Sequence, residues 1–145
     1  MPSPNACQIL RISTIAPPLS ATPPHDRGAR PSMAVARPPE RVVFVCDCMI
    51  DICSALFNVS GRELRASGRA TTSVSRVRQI AMYVTHVIMG LSMSEVGRGF
   101  GRDRTTVLHA CHLVEDMRDD ADFDAIVAMT ERVAGAALRG LECRW

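Results

Sequence analysis

Leu91 to Asp120, LSMSEVGRGFGRDRTTVLHACHLVEDMRDD, is the stretch whose reading decides the fold. Ser92 and Glu95 stand three apart ahead of an apolar residue. That is a capping box, in which the serine hydroxyl and the glutamate carboxylate each take a free backbone N–H. A helix of about two turns, roughly 93–98, is predicted from it. Gly97, Gly99 and Gly101 follow, each costing about 1 kcal/mol in a helix interior, so the spacing predicts a glycine-broken turn there. Asp103 suits the N-cap of the next helix, accepting from the N–H of Thr105 or Thr106. That helix buries Val107, Ala110, Cys111, Val114 and Met117 at 3–4 residue spacing. Arg104, Thr105, Leu108, His109 and His112 fall on its other face.

A short helix, a tight turn and a longer helix with an Arg-Asp-Arg-Thr-Thr start form the pattern that presents a recognition helix to the major groove of DNA. Arg104 has the fork geometry for guanine O6 and N7, or for a phosphate. Thr105 and Thr106 each offer a hydroxyl to a phosphate or base and a methyl to thymine. Asp103 can accept from cytosine N4 if its carboxylate is not engaged in capping. The positive helix end also favours a phosphate. On pattern alone, an ordinary helical hairpin with a solvated Arg/Thr cap remains open.

The run Val96-Gly97-x-x-Phe100-Gly101-Arg102-Asp103-x-Thr105-Thr106-Val107-x-His109-Ala110, with Arg78-Gln79-Ile80-Ala81-Met82-Tyr83 upstream, closely resembles the C-terminal DNA-binding domain of bacterial DnaA, the replication initiator. The resemblance spans roughly Val42 to Asp120. It implies an all-α helix-turn-helix domain that recognises a short asymmetric duplex box. By matching positions it implies that Asp103 and Thr105 read bases, that Thr106 lies against the backbone or a base edge, that Leu108 meets a thymine methyl and that Arg78 holds a phosphate. His109 matches a family histidine, with an implied structural or backbone-facing role. Three departures bear on sequence preference. One glycine stands between Phe100 and Arg102 where the family has two, Arg104 replaces the family's histidine, and Ala70 aligns with a minor-groove arginine, with Arg69 adjacent. The Arg104 change and most of the chain after Val74 resemble short stand-alone DnaA-like proteins of alphaproteobacteria, which implies a DNA-binding regulator.

Net charge is only +2 and the hydrophobic fraction 47%, ordinary for a globular chain. The distribution of charge is more telling. From Arg62 to Arg104 there are eight arginines against three acids, and from Thr105 to Glu131 seven acids against Arg118. A basic half facing phosphates and an acidic half facing away are expected. There is no lysine, so every basic contact would be a guanidinium. The six cysteines, Cys7, Cys46, Cys48, Cys53, Cys111 and Cys143, have no zinc-finger spacing. Cys46 and Cys53 would share one buried helix face. Reduced thiols and a cytoplasmic location are the natural reading.

Residues 1–40 hold all nine prolines and are expected to be a disordered tail. Met33, which opens a short lead into the first helix, is expected as the native start. Arg41 to Val59 reads as a core helix with Val42, Val45, Cys46, Met49, Ile52, Cys53 and Leu56 inward; Asp47 and Asp51 oppose membrane insertion. Ser60-Gly61-Arg62-Glu63 is a second capping box, predicting a helix over 61–66. A basic loop, Gly68 to Thr72, carries Arg69 as the minor-groove candidate. Ser73 or Ser75 would cap a helix of about 75–90 burying Val77, Ile80, Ala81, Val84 and Val87 or Ile88, with Arg76 and Arg78 projecting and His86 outward. A last helix restarts near Asp122 with Phe123, Ile126, Val127, Met129 or Thr130, Val133 and Ala137 inward. It would pack on the core or join two copies, and Gly140 to Trp145 would fray.

The sequence therefore predicts an all-α DnaA-like helix-turn-helix bundle of about five to six helices. Its parts are a Pro-rich tail (1–40), a DNA-binding domain (41–120) and an added C-terminal helix (121–145). Asp103, Arg104, Thr105, Thr106 and Leu108 are the candidate base contacts, Arg78, Arg76, Arg102 and Ser94 the candidate backbone contacts, and Arg69 the minor-groove candidate. No P-loop, metal pattern or nucleophile–base set is present in the sequence, so neither nucleotide, cofactor nor catalysis is expected. Double-stranded DNA is the expected partner. The alternative from another class is a protein-interaction module with a decayed DNA surface.

Overall fold

The computed structural model describes residues 37–142. The expectations for the Pro-rich tail, for Met33 and for the last three residues lie outside these. Among the described residues are six helices and no strand: α1 Pro39–Phe57, α2 Gly61–Arg65, α3 Thr72–Val87, α4 Met93–Phe100, α5 Arg104–Met117 and α6 Ala121–Glu142.

Helix α1 opens with Pro39 in its first turn, where the missing N–H costs nothing. It closes on Asn58 in the left-handed conformation (φ 51°), whose N–H bonds the Ser54 carbonyl. It buries Val42, Val45, Cys46, Met49, Ile50 and Cys53. Ile50 takes the place expected for Ile52 and Leu56, which are only half-buried. The face shifts because α2, α3, α4 and α6 all pack on α1, rather than one neighbour. None of the described helices is long and apolar enough to cross a membrane.

Helix α3 is the axis of the bundle. Every other helix packs on it, α5 most extensively. Six consecutive residues, Ile80 to Thr85, are buried, which a helix shows only when covered on all sides. The Thr85 hydroxyl donates to the Ala81 carbonyl (2.7 Å), so burial leaves no orphan there. The cap differs from expectation. Thr71, not Ser73 or Ser75, accepts from the Val74 N–H, and the helix begins three residues early.

Helix α6 lies on α3 and α1 through Val127, Thr130 and Ala134. Ile126 (40% exposed) and Val133 (37%) were expected inward and instead face outward. Arg118 locks the corner between α5 and α6. Its guanidinium is nearly buried; Nε donates to Asp124 Oδ1 (2.6 Å) and Nη1 to Glu131 Oε1 (2.7 Å) and to the Tyr83 hydroxyl (3.2 Å). Burial works against the charge, but the bonds to Glu131 and Asp124 outweigh it and hold Arg118 more firmly protonated than a free arginine.

Candidate nucleic-acid interface

Both capping boxes form. Ser60 and Glu63 start α2, and Ser92 and Glu95 start α4, where the Ser92 N–H donates to Glu95 Oε2 (2.7 Å) and the Glu95 N–H to Ser92 Oγ (3.3 Å). The Ser92 N–H bond is the main reason the Glu95 carboxyl sits below the ordinary glutamate range; burial opposes the shift, and Arg37 and Arg98 add to it. Arg37 also donates to the Gly90 carbonyl (2.7 Å), which pins the corner between α3 and α4. No sequence signal pointed to Arg37, because its partners lie more than fifty residues away.

The glycine reading is corrected. Gly97 and Gly99 do not break α4, which runs on to Phe100. They permit close approach. A β-carbon on Gly99 would stand 2.1 Å from Cys46 Sγ on α1, and one on Gly97 would stand 2.6 Å from the Arg102 carbonyl oxygen. Only Gly101 makes the turn, as a left-handed C-cap at φ 62° whose N–H reaches back to the Arg98 carbonyl. The Arg102 N–H bonds the Gly97 carbonyl at 2.7 Å, folding the chain back along α4. The start of α5 is thus held against Gly97.

Asp103 is the N-cap residue of α5 by backbone angle (φ −71°, ψ 152°), but its carboxylate makes no cap bond, contrary to the expected bond to Thr105 or Thr106. The carboxylate is exposed, as are Arg104, Thr105 and Thr106. Leu108 is half-buried one turn on, and His109 and His112 continue the exposed face. The opposite face buries Val107, Ala110, Cys111 and Val114. The candidate base-contacting residues therefore share one accessible helix end.

The candidate backbone contacts divide. Ser94 is exposed in the first turn of α4 and Arg69 is exposed in the loop before α3. Arg78 does not project. It is 8% exposed, and its Nε and Nη2 donate to the carbonyls of Leu64 (2.8 Å) and Glu63 (2.7 Å), tying α2 to α3. Burial, helped by nearby Arg102, lowers its pKa from the usual arginine value. Arg76 lies against the Met117 sulfur and over the Phe123 ring (6.0 Å), beside the end of α5 rather than its start. Arg102 reaches the Ala66 carbonyl and is half-buried. Arg65 pairs with Asp47 at 2.7 Å. Of the eight clustered arginines, Arg62, Arg69, Arg98 and Arg104 remain exposed without such ties. Counting charge along the sequence could not separate them from the four that bind the fold together. His86 is likewise drawn in, with Nδ1 2.7 Å from the Leu91 carbonyl oxygen.

Cys46 and Cys53 are fully buried and Cys111 nearly so. Burial pushes the first two thiols up to about 12 and the third to about 11, so all three stay protonated core groups. No cluster of three or more His, Cys, Asp or Glu among the described residues could hold a metal ion.

The family model described as "Bacterial dnaA protein helix-turn-helix" matches residues 46–114, from the middle of α1 to the last turn of α5. A solved structure titled "Crystal structure of DNA replication initiation factor" is similar in fold, with a TM-score of 0.62 and 25% sequence identity over 68% of this chain. The match takes in 30% of that protein's length, so the chain corresponds to a minor part of it. In sequence pattern and in fold, residues 46–114, with α4, the Gly101 turn and α5 among them, are thus similar to the bacterial DnaA helix-turn-helix domain.

Proposed function

We propose that this chain binds duplex DNA sequence-specifically by seating the first turn of α5 in the major groove. It acts there as a regulator of transcription or of replication boxes, in the cytoplasm and without ATP-driven assembly. The observation that carries the reading is the α5 start, where an Asp103 carboxylate with no cap bond stands beside exposed Arg104, Thr105 and Thr106. Arg104 forks onto guanine, Thr105 and Asp103 read neighbouring base edges, Thr106 contacts the backbone or a base edge, and Leu108 covers a thymine methyl. Ser94 and Arg98 take phosphates from α4, and Arg69 reaches the minor groove. The ties of Arg78, Arg76 and Arg102 to other parts of the fold support a different role for these three, as posts that hold the reading head. The likeness to a replication initiation factor supports boxes related to replication origins as targets.

Selection of bound duplexes from a random pool tests the reading, followed by anisotropy titrations with the wild type and Arg104→Ala. The expected result is a recovered motif and a loss with Arg104→Ala of about 1–3 kcal/mol confined to one base pair. Equal loss on selected and random duplex contradicts a base-reading role. A duplex left unbound in dilute salt contradicts DNA binding altogether.

A further inference from the structure

Helix α6 lies wholly beyond the residues matched to the DnaA-type motif and is apolar on two sides. The inner side is buried on α3 and α1. The outer side carries Ile126, Met129, Val133 and Ala136, spaced 3, 4 and 3 apart, so they form one stripe along the helix. Ile126, Val133 and Ala136 are exposed and Met129 is half-buried. Only four large hydrophobic side chains are exposed among the described residues, and two of them are in this stripe. A 3–4–3 repeat is the spacing of residues along the seam of a helix pair.

We propose that the occupant of this seam is α6 of a second copy of the chain, running antiparallel. Charge selects that partner and that direction. On the outer side, Asp122 is exposed near the start of the helix and Arg139 is exposed near its end. A parallel copy sets Asp122 against Asp122 and Arg139 against Arg139, whereas an antiparallel copy sets each Asp122 against an Arg139. The stripe has the matching symmetry. A two-fold axis midway between Met129 and Val133 brings each Met129 level with the other copy's Val133 and each Ile126 level with its Ala136. The same axis brings Asp122, which lies on the stripe, level with the Arg139 end of the other copy. An interface of one helix from each copy falls at the small end of the range for stable pairs, so the dimer is a concentration-dependent one. The proposal does not depend on what α5 binds.

Sedimentation velocity of the full chain across a broad micromolar range tests it, with circular dichroism to confirm that each variant is folded. The wild type is expected to pass from monomer to dimer. Val133→Glu and Ala136→Glu, both at exposed positions, are expected to weaken dimerisation roughly tenfold or more with helix content unchanged. Asp122→Arg and Arg139→Asp should each weaken it, and the double exchange should restore it. A wild type that stays monomeric throughout overturns the proposal. So does a dimer indifferent to Val133→Glu and Ala136→Glu, or one in which the double exchange is no better than the single ones.

Discussion

Gly97→Ala places a methyl group where the chain doubles back. The new β-carbon would lie 2.6 Å from the Arg102 carbonyl oxygen and 3.5 Å from the Arg104 nitrogen. The obstacle is backbone, so no side chain can swing aside. Ordinary contact requires a retreat of about 0.8 Å, and the part that must retreat is the turn leading into α5. Alanine recovers about 1 kcal/mol of helix propensity inside α4. Overpacking costs about 1–3 kcal/mol, and the 2.7 Å bond from the Arg102 N–H to the Gly97 carbonyl is strained as well. The expected net loss is about 1–2 kcal/mol, a fall in Tm of roughly 5–10 °C for a domain of this size. A reading head tolerates displacement of about 0.5 Å. The selected duplex should therefore lose affinity about tenfold or more, while random duplex, held by phosphate contacts, should change little. Thermal melting together with paired anisotropy titrations measures both. A Gly97→Ala protein with wild-type Tm and wild-type preference refutes the claim that Gly97 sets the position of α5.

Arg78→Ala is expected to lower stability by about 1.5–3 kcal/mol, because the buried Leu64 carbonyl and the partly buried Glu63 carbonyl lose charged donors, as read in a denaturant titration. Arg118→Met leaves Glu131, whose side chain is 14% exposed, without its cation. It should cost about 2–4 kcal/mol by the same measurement, with Arg118→Lys recovering part of the loss. Because the Glu95 carboxyl is held below its ordinary value, the α4 cap contributes fully above the ordinary glutamate range and weakens as pH falls through the lowered value. Acid titration of stability should show that loss in the wild type and a smaller one in Glu95→Gln. Alkylation of the native protein near neutral pH, followed by peptide mass spectrometry, should label half-exposed Cys48 well before Cys46, Cys53 or Cys111.

The local grammar of the fold was legible. Ser-x-x-Glu twice marked a helix start, and the 3–4 spacing of Val107, Ala110, Cys111 and Val114 marked the inner face of α5. Residues whose meaning depends on a distant partner were not. Gly97 and Gly99 look like helix breakers because propensity is a local property, whereas their reason is the nearness of Arg102 and Cys46. Arg76, Arg78 and Arg102 look like a phosphate comb because charge can be counted along a chain, but burial cannot. Val133 fits an inward period as well as Ala134 does, and only the packing of α6 on α3 and α1 selects the second. Asp103 is the converse case. A good cap residue by type, it makes no cap bond, and its carboxylate is left facing outward.

Methylation interference on a selected duplex tests most directly the claim that α5 reads the major groove. Methylation at guanine N7 alters the major-groove edge and leaves the minor groove and phosphates in place. The account predicts that methylating one or two guanines in the box abolishes binding by the wild type, and that Arg104→Ala becomes indifferent to one of them. Binding that ignores every N7 methyl group, in the wild type as in Arg104→Ala, contradicts it.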